Sequence, residues 1–229
     1  MKPLRLTSLL VVLILSACSL AIAPNEYGLR VVGDKATYER LVARDADKRL
    51  VDVAKEVPGI ALDIRYATAD NFMKRVLYPE AAALLRLPAA RAIADAQSEL
   101  RTKGLGLKIH DAYRPYSITK AMWEPIRNPD FVADPAKGSR HNRGCAVDLT
   151  LIRLSDGTEL PMPTPYDDFT PRARHDFNDL PADALANRKL LRETMERHGF
   201  VAFESEWWHY DFKGWEKYEL MELGFDELR

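Results

Sequence analysis

The stretch Ser139-Arg140-His141-Asn142-Arg143-Gly144-Cys145-Ala146-Val147-Asp148-Leu149-Thr150 decides how the rest of this chain is read. It sets an imidazole and a carboxylate seven positions apart, across a glycine that lets the chain turn into an apolar, β-branched run. From Ala146 to Leu151 the run reads as a strand, so Ala146, Asp148 and Thr150 share one face. Cys145 lies one position off that face and is expected to point away from it. A second cluster, Glu204-Ser205-Glu206-Trp207-Trp208-His209, follows later in the chain.

Together the two clusters hold a ligand set. A catalytic zinc takes three protein ligands, commonly imidazoles and a carboxylate, and keeps one position open. His141, Asp148 and His209 supply that set, and Glu206 supplies a carboxylate near the metal for proton transfer. On a plain strand, positions 206 and 209 would face opposite ways. The reading therefore requires Glu206 in a turn, with the strand starting at Trp207 or Trp208. Arg114 precedes a proline, which holds it in extended backbone at the end of a strand over 105–112. From there it could stabilise an oxyanion. Other readings stand beside these. His110 or His175 could replace a ligand, His198 suits the last turn of a helix, and the Trp207-Trp208 pair fits a core as well as a substrate wall.

Composition bounds the rest. With 229 residues, 47% hydrophobic and 29% charged, the chain is of ordinary globular make-up, one sizeable domain with appendages. A net charge of −1 without a basic segment leaves nucleic acid no electrostatic footprint. At the N-terminus, Lys2 and Arg5 precede the apolar run Leu9-Leu10-Val11-Val12-Leu13-Ile14-Leu15. The run is shorter than the roughly 20 residues a spanning helix needs and has the proportions of an export signal. Leu15-Ser16-Ala17-Cys18 resembles a lipoprotein cleavage box, with cleavage after Ala21-Ile22-Ala23 as the alternative. The expected division is a signal over 1–17, a tether and solvated lead-in over 18–50, and a domain over 51–229. The chain would be exported to the periplasm and lipid-anchored at Cys18, with the outer membrane favoured and no other membrane contact. An acylated Cys18 would leave Cys145 without a disulfide partner.

Along the domain, alternation predicts a strand within 53–67 that enters an irregular segment. Helical spacing over 79–103 is interrupted by Pro88, which suggests two helices or a break. Helices are expected over 116–126 and 183–198, the second with an acidic N-cap, and a last one over 215–223. Strands over 200–203 and 208–212 should pair. The segment 152–182 holds five prolines and little periodicity, a loop long enough to be functional.

These motifs carry a resemblance. Ser139-x-His141-x-x-Gly144-x-Ala146-x-Asp148, followed by Glu206-x-x-His209, resembles the zinc D,D-peptidases of bacterial cell-wall metabolism. Within that group four fuller strings look like the D-alanyl-D-alanine dipeptidases related to the vancomycin-resistance enzyme. They are Tyr66-Ala67-Thr68-x-Asp70-Asn71-Phe72, Asp111-x-Tyr113-Arg114-Pro115, Asp148-Leu149-Thr150-Leu151 and Glu206-Trp207-Trp208-His209-Tyr210. The resemblance implies a single α+β domain of the zinc D,D-peptidase or hedgehog-like type, a central, mainly antiparallel sheet flanked by helices. It implies one Zn2+ on His141, Asp148 and His209, with Glu206 as general base and acid and Arg114 on the oxyanion. Ser139 would hold the substrate carboxylate, while Tyr66 and Asp167 would meet its ammonium group, with Asp168 an alternative for Asp167. The implied reaction is hydrolysis of D-Ala-D-Ala or related dipeptides, here in wall turnover outside the inner membrane. Two rivals remain: a D,D- or L,D-carboxypeptidase acting on longer peptides, and a non-catalytic wall-binding lipoprotein.

Overall fold

A computed structural model describes residues 22–228, so the expected export signal and Cys18 lie outside the described residues. In chain order the elements are β1 (Val31–Val32), α1 (Lys35–Arg44), β2 (Leu50–Asp52), α2 (Val53–Glu56), β3 (Ala61–Leu62), β4 (Leu84–Arg86) and α3 (Leu87–Arg101). They continue with β5 (Leu105–Asp111), α4 (Tyr116–Ile126), β6 (Ala146–Arg153), α5 (Ala182–Arg197), β7 (Phe200–Ala202), β8 (His209–Phe212) and β9 (Leu220–Met221). Five strands form the central sheet in the order β3-β5-β6-β8-β7. Its pairings are antiparallel except for β3 with β5, as expected of a mainly antiparallel sheet. None of the described helices is long and apolar enough to cross a membrane.

The sheet's centre is β6, buried from Ala146 to Ile152 because both of its faces are covered. Val147, Leu149 and Leu151 point one way and join the core; α3 and α5 pack on β5, β6 and β7. Each such side chain contributes about 1.5–3 kcal/mol by leaving water. Asp148 points the other way, and this is the face on which the sequence clusters meet.

Several local expectations are corrected by packing. The lead-in is not a solvated face. Asp34 caps α1 by accepting from the Thr37 amide at 2.8 Å, and Thr37, Tyr38 and Leu41 are buried. The Tyr38 hydroxyl accepts from the Leu50 amide, and β1 pairs in parallel with β9. Pro88 does not break a helix; it sits in the first turn of α3, where its missing N–H costs nothing. Within 53–67 the strand shrinks to Ala61–Leu62, because Asp52 caps the short α2 by accepting from the Ala54 amide. The N-cap of α5 is Pro181, with Asp183 in its first turn rather than at the cap. The last helix is absent among the described residues: 215–217 makes one 3-10 turn, and pairing of Leu220 and Met221 with β1 overrides helical propensity.

Arg86 braces these additions. Fully buried, its guanidinium donates to the carbonyls of Lys48, Arg143 (2.7 Å) and Glu219 (3.3 Å) and lies over the Tyr218 ring. One side chain thus ties the lead-in, the segment before Gly144 and the C-terminal turn together.

The long 154–181 segment is ordered by its partners. The Trp207 indole donates to Thr164 Oγ1 at 2.9 Å, and the Trp207 amide donates to the Ala173 carbonyl. His175, 7% exposed, donates its amide to the Glu204 carbonyl and sets its ring edge-on to Tyr210. Burial pushes its imidazole down to about 4, with Arg192 and Arg188 adding to the fall and Glu204 and Asp176 opposing it. The unfolded chain, titrating near 6.5, then binds more protons than the native one between those values. Stability is complete above pH 6.5 and falls as pH drops toward 4, by about 3 kcal/mol for this group. Denaturant unfolding of wild type and His175→Phe across pH 4–7 checks this; the variant should lose that part of the slope, and parallel profiles would refute it.

Candidate active site

The register of three strands builds the site. On β6 and β8, Asp148 and His209 are direct cross-strand partners, so their side chains lie together on one face. Between β5 and β6 the register shifts at His110, a bulge that brings Asp111 opposite Asp148. His141 arrives from a 3-10 turn, His141–Arg143, that ends on Gly144 with φ of 67°. A Cβ at that glycine would stand 2.3 Å from Leu50 Cδ2, so both conformation and space require glycine. Glu206 sits in the turn between β7 and β8, as the ligand reading required, and β8 begins at His209 itself.

His141 Nε2, His209 Nδ1 and Asp148 Oδ1 converge. They lie 3.2 Å (His141 to His209), 3.0 Å (His209 to Asp148) and 3.4 Å (His141 to Asp148) apart. Atoms about 2.0–2.1 Å from a tetrahedral ion stand about 3.3 Å from each other, so the triangle has the size of a zinc face. The outer nitrogens are engaged as such a site requires. His141 Nδ1 donates to the Ala112 carbonyl at 2.6 Å, and His209 Nε2 donates to Asp211 Oδ1 at 3.0 Å. With those protons placed outward, the inward nitrogens are lone pairs facing each other and a carboxylate, an arrangement a cation relieves. The three residues fit the metal.

A proton held on His209 between its carboxylate neighbours does in part what a cation there would do. Burial alone would raise the Asp148 carboxyl, yet His141 and His209 hold it well below the usual range. Burial would lower His209, but Asp211 and Asp148 hold it well above. Burial pushes Glu206 up to about 8; His209 and Arg114 oppose the rise, and Asp148 and Asp167 add to it. Arg114 stays charged despite burial because Asp111 Oδ2 accepts from its Nε at 3.1 Å and its Nη2 at 2.7 Å. Asp111 is itself fixed by the Tyr78 hydroxyl and the Ala112 amide.

Each expected site residue among the described ones lines the same cleft. Arg114, Ser139, Tyr66 and Asp167 stand around it with His141, Asp148, Glu206 and His209. Of the two neighbouring acids it is Asp167 that faces in, from a left-handed backbone position at φ of 61° that aspartate tolerates. Both of its oxygens accept from the Tyr66 hydroxyl, at 3.1 and 3.2 Å, and burial lifts its carboxyl to about 8. Asp168 instead accepts from the Thr170 amide. Trp207 is core, while Trp208 is buried and also forms part of the cleft wall. The proposed lipid site, Cys18, is outside the described residues.

Three contributors were not singled out by sequence reasoning: Asp111, Asp211 and Tyr166. Asp211 had a signal, since it lies two residues from His209 on the same strand face. Asp111 lies three residues before Arg114, but the bulge that aims it could not be read. Tyr166, whose hydroxyl donates to Asp148 Oδ2 at 2.9 Å, comes from the loop and had no periodic signal.

A family model described as D-ala-D-ala dipeptidase (Peptidase_M15) matches residues 46–221. The chain belongs to that family. It is thereby a zinc metallopeptidase. The D-alanyl-D-alanine dipeptidase of Escherichia coli K12 is 37% identical over 172 residues, 75% of this chain and 89% of the relative. That of Enterococcus faecium is 34% identical over 176 residues, 67% of this chain and 86% of its own length. A solved LD-carboxypeptidase, LdcB, is 19% identical with a TM-score of 0.43, covering 73% of this chain and 69% of that one.

Cys145, inside the opening stretch, takes no part in the cleft. It is fully buried, and burial pushes its thiol up to about 12 against the opposing pull of Arg86 and Arg143. In a Cys18→Ser chain at pH 8, an aromatic disulfide reagent should release no colour from the folded protein and one equivalent after denaturation. Rapid reaction of the folded protein would contradict this placement.

Proposed function

We propose that this chain hydrolyses D-alanyl-D-alanine, or a closely related D,D-dipeptide, to free amino acids. The observation that carries the reading is the placing of Asp167 and Tyr66 in the same cleft as the three convergent ligands. A buried carboxylate one short step from the reaction centre suits a free ammonium group next to the scissile bond. A longer peptide would bring an uncharged amide there. The cleft is also small, about 90 Å³, and Phe169 of the loop packs on Phe72 and Phe131 of its lining at 5.2 and 4.9 Å.

The residues then divide the work. His141, Asp148 and His209 would hold zinc, which when bound supplies Lewis-acid polarisation of water and of the scissile carbonyl. Glu206 takes a proton from the attacking water as its oxygen bonds to the carbonyl carbon. It returns that proton to the leaving nitrogen as the C–N bond breaks. A buried carboxyl poised near neutrality serves both steps. Asp111 engages Nε and Nη2 of Arg114, which aims the remaining guanidinium edge at the oxygen where negative charge develops. Ser139, 5% exposed, offers its hydroxyl to the substrate carboxylate.

Rates on D-Ala-D-Ala, its N-acetylated form and a wall pentapeptide test this, with metal content measured alongside. Wild type should cleave the free dipeptide and leave the acetylated one. Glu206→Gln should keep about one zinc per chain and lose about 10²–10⁴-fold in turnover. Faster cleavage of the pentapeptide would replace the reading with a carboxypeptidase.

We further infer that the chain works outside the inner membrane, on dipeptides released in wall turnover. Support comes from the charged and apolar leader and the Leu15-Ser16-Ala17-Cys18 box. Cell fractionation with labelled fatty acid should place a labelled chain in the membrane fraction, and Cys18→Ser should abolish the label. A cytosolic chain with its leader intact would reject this.

A further inference from the structure

Tyr166 links two parts of the cleft that would otherwise be separate. Its hydroxyl lies 2.9 Å from Asp148 Oδ2 and 3.2 Å from the Tyr66 hydroxyl. Tyr66 in turn reaches both oxygens of Asp167. The Tyr166 ring is clamped, stacked on His110 at 4.7 Å and 22° and edge-on to Trp208 at 5.5 Å. Asp148 Oδ1, not Oδ2, is the oxygen turned toward His141 and His209.

We propose that Tyr166 is a positioning residue that couples the ammonium pocket to the metal ligand Asp148 through the chain Asp167–Tyr66–Tyr166–Asp148. This rests on the metal and ammonium assignments made above. Its first effect is orientation. A donor on Oδ2 holds the carboxylate plane, so Oδ1 meets the two imidazole lone pairs without rotating. Such outer contacts change metal affinity by about 10–100-fold when removed.

The second effect follows from counting protons. The chain has three links and two hydroxyl protons. In the deprotonated form of Asp167, the form that takes an ammonium ion, both carboxylates are charged: Tyr66 donates to Asp167 and Tyr166 donates to Asp148. The Tyr66–Tyr166 contact is then left as two oxygens facing each other. An ammonium ion arriving at Asp167 brings its own donors. The Tyr66 proton is then free to turn toward Tyr166, and every link is filled. Filling the chain strengthens the hold on Asp148, so an amine ligand and the metal favour one another, and by linkage the favour is mutual. The loop that carries Tyr166 is thereby ordered by the same contacts that the ligands complete.

Tyr166→Phe tests this, because it keeps both ring contacts and removes the hydroxyl alone. The purified wild-type, Tyr166→Phe and Tyr66→Phe chains are titrated with zinc against a competing chelator. Their cobalt-substituted visible spectra and metal-free melting temperatures are recorded alongside. Tyr166→Phe should weaken zinc binding by about tenfold or more and shift the cobalt spectrum, with a metal-free melting temperature near that of wild type. Tyr66→Phe should hold zinc within about threefold of wild type and raise KM for the dipeptide, since it cuts the chain beyond Tyr166. Zinc affinity of Tyr166→Phe within twofold of wild type, with an unchanged cobalt spectrum, would overturn the proposal. A Tyr166→Phe chain that melts far lower without metal would also overturn it, because the hydroxyl would then be serving the fold. If wild type itself failed to bind zinc, the metal assignment would fall, and the two failures remain distinguishable.

Discussion

The register of β5, β6 and β8 is the constraint on which the site depends. Because side chains alternate with period two, slipping β8 by one residue would exchange His209 and Asp211 for Tyr210. The apolar members of the same strands resist such a slip. Val147, Leu149 and Leu151 are wholly buried on the opposite face, and any shift that moved Asp148 would carry them out of the core. The ligand geometry is thus held by hydrophobic burial on the far side of the sheet. The bulge at His110 is the exception that completes it. Without the extra residue, Asp111 would not face Asp148, and Arg114 three positions on would have no carboxylate holding it in the cleft.

The metal set was legible because its elements obey short-range rules. His141 and Asp148 are separated by a glycine whose left-handed φ permits one local geometry, and Asp148 heads a strand with clear alternation. Glu206 needed a turn, and the turn is there. What could not be read depends on contacts distant in sequence. The lead-in looked polar, yet Tyr38 and Leu41 find the core because β9, at the far end of the chain, offers β1 an edge. Pro88 was ambiguous for a different reason. A proline that ends one helix and a proline that starts one leave similar local patterns, and β4 just ahead of it settled the matter. Within the loop, prolines conceal periodicity, so no pattern gave a role to a side chain as closely involved as Tyr166.

Charge shows what the cleft is built to receive. Arg114 is matched by Asp111, and Arg140 lies 3.5 Å from Asp211 and over the Trp215 ring. The cleft's own acids, Asp148, Asp167 and Glu206, are therefore left without a guanidinium or ammonium partner of their own at hydrogen-bonding distance among the described residues. Asp148 faces the imidazoles, whereas a buried carboxylate with no cation beside it costs several kcal/mol and responds by keeping its proton. Asp167 and Glu206 do so, both rising to about 8. A dication on the histidines and one ammonium at Asp167 would let Asp167 and Glu206 give up those protons. A substrate with a blocked amine supplies no ammonium, and it leaves Asp167 either protonated or charged and unpaired. The small cleft limits the length of a ligand, and the charge balance adds a place for a free amine. Asp167, met only by the Tyr66 hydroxyl among the described residues, is the group such an amine would pair with.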